Sequence, residues 1–391
     1  MTVGAPVRPG GALTRITRDE TAFLGETWGR SAAVYPAVPG SAFEELLSFD
    51  DVDRIVSTMS LRTPMFRLVH AGRRIAEAEY TRTGRTGSRG VTGIADPARI
   101  FALFRGGATI VLQGLHRFWE PVAGLVRELE IELGHPCQVN AYITPPGAQG
   151  LALHSDPHDV FVLQTFGAKR WEIHPAPREP QRPPLGATLS PGDTVYMPTG
   201  TPHAASTQET LSGHLTIGVH VTPWREVVAD VWKRLERDPS LDEPLPAGWL
   251  RDRPAFAGQV RERLEALTST LGAVDAEEIA ASRAERFLST RAPLLRGSLA
   301  DEPALAAVDD ATVVARRPGS VCEVSTRGGE ATVLLGDRRL VMPAWLEPAM
   351  RHIAARDRFA VADLSASVAD ATARAVLVRR LVREGLLLLD R

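Results

Sequence analysis

The sequence predicts an α+β protein: a sandwich or barrel of short antiparallel strands, with helices before it, a helical bundle after it and a small mixed unit at the end. Three observations predict this class. Between Cys137 and Val221 the chain breaks into short apolar or alternating segments divided by Gly and Pro, namely CQVNAYITPPG, DVFVLQTFG, KRWEIHP, DTVYMPTG and LTIGVHVTP, the texture of antiparallel sheets. On both sides of that block apolar residues recur at helical intervals. A chain of 391 residues also exceeds one ordinary hydrophobic core, so two or three domains are expected.

Each element has its local reason. After a Gly/Pro-rich start, SAFEELLSFDDVDRIVSTM carries Ser41 and Glu44 at capping-box spacing and then a helical apolar pattern, which predicts an N-terminal helical region. The stretch from Arg82 to Pro97 is polar and turn-rich, and Asp96 and Pro97 open a helix running through Phe104. TIVLQGL, from Thr109, reads as a strand, and FWEPVAGLVRELEIELG as a helix stopped by Gly134. Beyond Pro223, Val227, Val231 and Leu235 form one helical stripe, and Val260, Leu264, Leu267 and Leu271 another. Such stripes, with little else in the sequence to cover them, predict a bundle or a subunit contact. From about Pro318 short strands (SVCEVS, EATVLLG, RRLVMP) mix with helices (AWLEPAMRHIAAR, TARAVLVRRLVREG) and a terminal LLLLD, a size and order that fit a small winged-helix-like unit.

Composition narrows the function classes. The formal charge of -2, from 45 basic and 47 acidic residues, supplies no global field for a polyanion. From Asp337 onward ten Arg face seven acidic residues, short of the concentrated basic face of a DNA reader; nucleic acid is not an expected partner. Cys137 and Cys322 match no zinc or redox spacing, so a reducing compartment is expected. The first residues lack the apolar core of a signal peptide, and no run approaches the ~18 apolar residues of a membrane span. A cytoplasmic protein with no membrane partner is the expectation. Only two lysines occur, Lys169 and Lys233.

The chemistry concentrates in LALHSDPHDVFVLQTFGAKRWEIH, from Leu151 to His174. Read as strand, His154 and Asp156 point the same way two residues apart, and an imidazole and a carboxylate so placed can chelate a divalent metal. A third ligand is offered by GDTVYMPTGTPH, Gly192 to His203, whose G-x5-P-x-G-x2-H spacing matches the second cupin motif. Two histidines and one carboxylate hold one face of Fe(II) and leave the others open for catalysis. Any one of these histidines taken alone is an ordinary hydrogen-bonded strand residue; the joint pattern argues for metal.

NAYITPPGAQGLALHSDPHDVFVLQTFGAKRW, LSPGDTVYMPTGTPHAAS and LTIGVHV together resemble the JmjC-type 2-oxoglutarate oxygenases, and within them the ribosomal oxygenase branch. The motif block covers about a fifth of the chain, and the order of flanking regions extends the resemblance more weakly over nearly the whole length. It implies a double-stranded β-helix (jelly roll, cupin/JmjC) with N-terminal helices, residues 1–223, a helical, dimer-forming domain over 224–296 and a winged-helix-like domain over 297–391. His154, Asp156 and His203 would be the iron ligands and catalytic centre. Lys169, fifteen residues after the first ligand, would pair with the distal carboxylate of 2-oxoglutarate, a dicarboxylate that needs a cation at its far end. Asn140 and Thr216 match positions lining the cosubstrate pocket, although Asn140 also reads as a turn cap and Thr216 as an ordinary strand residue. Tyr142, Gln164 and Trp171 are candidates for the substrate mouth and equally for core. His158 departs from the family's pattern and reads as loop; His174, His214 and His220 fall outside the ligand spacing and read as structural.

The activity implied by the resemblance is hydroxylation of a protein side chain with Fe(II), 2-oxoglutarate and O2, releasing succinate and CO2. A protein or peptide substrate such as an Arg or His of a ribosomal protein, and a homodimer, are the implied partners. Two readings compete: a hydroxylase of a small molecule or modified peptide in a biosynthetic pathway, and a cupin-type sensor joined to a winged-helix transcription regulator.

Overall fold

The computed structural model describes residues 11–38, 42–148, 152–207 and 209–390. The strands up to the end of the β-rich block are β1 (Ala33–Tyr35), β2 (Phe66–His70), β3 (Arg73–Arg74), β4 (Thr81–Thr86), β5 (Arg89–Ala95), β6 (Thr109–Leu112), β7 (Cys137–Thr144), β8 (Asp159–Phe166), β9 (Lys169–Ile173), β10 (Leu185–Leu189), β11 (Thr194–Met197), β12 (His203–Thr207) and β13 (Ser212–Val219). An eight-stranded sheet in the order β1-β11-β8-β13-β7-β6-β2-β3 faces a three-stranded sheet in the order β10-β9-β12. All pairings within these two sheets are antiparallel.

Burial follows from this layering. β8 is buried on both faces because each face meets a different core. Phe161 and Leu163 join the large core under the N-terminal helices, while Val160 and Val162 join Trp171, Ile173, Leu189, Val195 and Met197 between the two sheets. In β9 the alternation is regular, with Lys169, Trp171 and Ile173 buried and Arg170 and Glu172 exposed. The space between the sheets therefore receives the side chains of Lys169 and Trp171 from one side and of alternate β8 and β13 residues from the other.

Two sequence expectations change in the N-terminal region. Ser41 lies outside the described residues, and the helix there is Phe49–Thr58, opened by a capping box between Ser48 and Asp51 in which each side chain accepts the other's backbone N–H. The turn-rich stretch from Arg82 folds as the β4–β5 hairpin, its polar residues exposed on a two-stranded ribbon. The next helix is Pro97–Arg105, capped by Asp96; the Glu120–Leu133 helix stops at Gly134, whose N–H bonds Glu130.

Beyond the sheets, helices Trp224–Leu235, Arg253–Gly272 and Ala276–Leu288 follow. Val227 and Val231 face Ile279 and Phe287 across an apolar groove, whereas Val260, Leu264 and Leu271 are exposed on a helix that buries no residue. The last region has its own core and two three-stranded sheets, Glu323–Arg327, Glu330–Leu335 and Arg338–Pro343 in one, and Val313–Arg316 flanked by Arg358–Ala360 and Leu387–Leu389 in the other. Arg291, donating to Glu130 at 2.5 Å, ties the bundle's end to the Glu120–Leu133 helix.

Candidate metal centre and cavity

The GDTVYMPTGTPH stretch becomes strand β11, a turn and the start of β12. Thr201 N–H and Oγ1 both donate to the Pro198 carbonyl, and Gly200, at φ 80°, takes the left-handed conformation the turn requires. Gly200 N–H donates to the Asp156 carbonyl at 2.9 Å, so this turn is fastened directly to the Asp156 segment. His203 and His154 exchange backbone hydrogen bonds of 3.1 and 2.8 Å as an isolated bridge. The His154–Asp156 segment is thus an irregular stretch pinned to β12; the continuous strand expected from the sequence begins only at Asp159.

These contacts bring one ligand atom each of His154, Asp156 and His203 within 4.8 Å of one another. The imidazole hydrogen bonds decide what those atoms are. His154 Nδ1 lies 2.8 Å from the Ala152 carbonyl and His203 Nδ1 2.9 Å from the Thr201 carbonyl. A carbonyl only accepts, so both Nδ1 atoms donate, and in the neutral ring each Nε2 keeps its lone pair. Burial, the largest influence, lowers the His203 pKa, which favours the neutral form a metal needs. Two imidazole nitrogens and a carboxylate oxygen on one side of an open space are a donor set that fits Fe(II).

Asp159 holds this arrangement from behind. Its Oδ1 accepts Thr199 N–H at 2.8 Å and Thr199 Oγ1 at 2.7 Å, and its Oδ2 accepts the Tyr196 hydroxyl. The carboxylate therefore fixes the turn that delivers His203.

The three residues stand at one end of a small cavity lined also by Tyr142, Val160, Val162, Lys169, Trp171, Ala205, His214 and Thr216. Lys169 closes the other end. β12 and β9 set His203 opposite Ile173 and Thr207 opposite Lys169, a separation of four residues or roughly 13 Å along the strand. Lys169 is 2% exposed; its Nζ donates to Thr144 Oγ1 at 3.2 Å, and no ion pair with a carboxylate is found for it among the described residues. Burial brings its pKa down to about 7.

The remaining sequence candidates separate. Thr216 and Tyr142 line the cavity. Asn140 sits opposite Thr216 on the neighbouring strand, its Oδ1 accepting Gly114 N–H at 3.0 Å. Trp171 is a buried wall of the cavity rather than part of a mouth, with its Nε1–H unpartnered among the described residues. Gln164 is not in the cavity: its Nε2 is spent on the carbonyls of Phe166, Gly167 and Gly213 and on Ser212 Oγ, at 2.9–3.2 Å. His174 pairs with Glu172 at 3.1 Å outside the cavity.

His214 is the residue the sequence reading missed. It is 4% exposed, lines the cavity, stacks on Tyr142 at 5.2 Å and meets Trp171 edge-on at 5.4 Å. Burial first, then Lys169 and His203, hold its pKa well below the ordinary range, so the ring is neutral, and its Nδ1 has no partner among the described residues. The signal was present: His214 is two residues before Thr216 and shares its face of the strand.

Residues 120–227 match the JmjC domain family. The chain is 30% identical over 216 residues to ribosomal oxygenase 1 of Rattus norvegicus, covering 51% of this chain and 34% of that protein. It is 37% identical over 157 residues to ribosomal oxygenase 2 of Bos taurus, covering 36% and 34%. It thus spans about a third of the length of these relatives. The fold is similar to that of the ribosomal oxygenase YcfD of Escherichia coli, solved with cobalt and 2-oxoglutarate, with a TM-score of 0.55 at 19% identity over 96% of this chain and 99% of that one. By its matched domain and these relatives, the chain carries a region similar to the JmjC domain and resembles the ribosomal oxygenases over that region.

Proposed function

We propose that the protein is a 2-oxoglutarate-dependent hydroxylase of a protein side chain, an Arg or His of a ribosomal protein being the substrate its relatives' names suggest. The observation that carries this is a cavity with two imidazoles and a carboxylate converging at one end and, at the other, a buried lysine that no carboxylate among the described residues pairs. Fe(II) held by His154, Asp156 and His203 would supply oxygen activation, coupling decarboxylation of 2-oxoglutarate to succinate and CO2 with insertion of one oxygen atom into a C–H bond. Lys169, steadied by Thr144, binds the distal carboxylate of the cosubstrate, with Thr216 and Asn140 on the adjoining sheet face. A carboxylate beside Lys169 also favours its protonated form. Tyr142 and His214 form a rigid stacked wall, and the unpartnered His214 Nδ1 and Trp171 Nε1 are polar atoms that a bound cosubstrate or water would satisfy. Val160, Val162 and the Trp171 ring give the cavity an apolar lining.

Anaerobic addition of Fe(II) and 2-oxoglutarate should produce a weak visible charge-transfer band that Asp156→Ala abolishes. No band in the parent protein, with no succinate formed, would overturn the reading.

The three-part division at 223 and 296, with a winged-helix-like final unit, belongs to the same proposal. So does a homodimer, supported by the exposed apolar face of the Trp224–Leu235 helix, where Trp224 is 82%, Val228 64% and Trp232 47% exposed. No helix among the described residues is long and apolar enough to cross a membrane.

A further inference from the structure

The sheet face that floors the cavity continues past its metal end. His214, Thr216 and Gly218 of β13 share that face with Val160 and Val162 of β8, and the register sets Thr216 opposite Val162 and Gly218 opposite Val160. Gly218 leaves a notch there, and His158 fills it: a Cβ on Gly218 would meet His158 Cε1 at 2.7 Å, Nδ1 at 3.0 Å and Nε2 at 3.1 Å. The His158 ring therefore rests on the cavity face against the Gly218 backbone, between Asp156 and Val160 in sequence. Its Nδ1 lies 3.2 Å from the Asp159 carbonyl, which accepts, so Nε2 of the neutral ring keeps its lone pair. Across from it His220, exposed, meets the ring edge-on at 5.2 Å.

We propose that His158 is a specificity-determining residue whose Nε2 accepts a hydrogen bond from an N–H-bearing substrate side chain (guanidinium, imidazole or amide) entering beside Asp156. This rests on the hydroxylase reading above. The seat is built rather than incidental, because only glycine at 218 leaves room for the ring, and the imidazole is half-buried in the continuation of the cavity floor. An acidic substrate side chain would bring its oxygens against an acceptor and the nearby Asp156 carboxylate, an arrangement that rejects it.

The test uses the Fe(II)-loaded full chain, 2-oxoglutarate and synthetic peptides of one sequence carrying Arg, His, Asn or Glu at the central position, scored by mass spectrometry for one added oxygen. The parent protein should oxidise the Arg, His or Asn peptides in preference to Glu. His158→Phe keeps a ring on the seat but removes the acceptor, and should lower kcat/KM on the preferred peptide about three- to tenfold, what one neutral hydrogen bond supplies, while narrowing the preference over Glu. His158→Gln, which restores an acceptor oxygen, should recover most of the loss, and Gly218→Ala, which pushes the ring off its seat, should reproduce it. The visible Fe(II)/2-oxoglutarate band of each variant identifies any that fails to fold or load. His158→Phe with the parent's kcat/KM and preference overturns the inference, as does a loaded parent protein that leaves all three N–H peptides unmodified. Failure of the hydroxylase reading is distinct, because there the parent protein shows neither band nor product.

Discussion

Replacing Lys169 with Met should make the ligand-free protein more stable and the cosubstrate-bound protein impossible to form. The lysine is 2% exposed, and its Nζ has Thr144 Oγ1 at 3.2 Å to offset desolvation. Burial takes its pKa from 10.5 to about 7, and at ~1.36 kcal/mol per pH unit this difference caps the penalty on the charged form at roughly 5 kcal/mol. Water entering the cavity relieves part of it, so a gain of about 2–4 kcal/mol is expected for a methionine that fills the same volume. The sign with pH follows from the lowered folded-state value. Between pH 7 and 10.5 the unfolded chain binds more protons than the folded one, so the parent protein gains stability as pH rises through that window. The advantage of Lys169→Met is therefore fully present below pH 7 and gone near 10.5. Chemical denaturation of both proteins at pH 6, 8 and 10, with and without 2-oxoglutarate and Fe(II), measures all of this. Added 2-oxoglutarate should raise the parent's denaturation midpoint and leave the variant's unchanged. A variant less stable than the parent at pH 6 without ligands would refute the claim that this ammonium is held at a cost; a variant stabilised by 2-oxoglutarate as well as the parent is would refute its role as anchor.

Other consequences are equally open to measurement. Asp156→Ala should abolish the Fe(II)/2-oxoglutarate band, whereas His174→Ala, outside the cavity and paired with Glu172, should leave it intact. Asp159→Ala strands the Tyr196 hydroxyl and the Thr199 N–H and hydroxyl; a loss of about 2–4 kcal/mol in denaturation is expected, together with weaker Fe(II) binding by titration, because the turn it fixes carries His203. Val228→Glu with Trp232→Glu charges the exposed face of the Trp224–Leu235 helix without touching the sheets, and should convert a dimer to a monomer in sedimentation while the band is kept.

What the sequence made legible was local. The Gly200 turn, the Asp96 cap and the stop at Gly134 are set by a few neighbouring residues, so the turn that delivers His203 and the helices around the sheets could be read from spacing. The His154–Asp156 pair was found by a strand argument although the segment is irregular; the two residues are brought to His203 by one backbone bridge and the Gly200–Asp156 hydrogen bond, contacts between segments some fifty residues apart that no local pattern encodes.

Gln164 shows why alternation alone could not complete the site. By period two, Gln164 belongs with Val160 and Val162 and should face the cavity, and His214 belongs with Thr216. The register between β8 and β13 shifts at Gly213/His214, and at that irregularity the carbonyls of Phe166, Gly167 and Gly213 accept from the Gln164 side-chain NH2. His214, paired with Gln164 on one side and Tyr142 on the other, keeps the alternation, shares the face of Thr216 and packs on Tyr142 and Trp171. The amide expected at the substrate mouth thus fastens two strands, and the histidine expected to be structural is, by the same alternation that places Thr216, the neutral wall beside Lys169. A bulge depends on how two distant segments pair, so it appears only once the sheet is assembled.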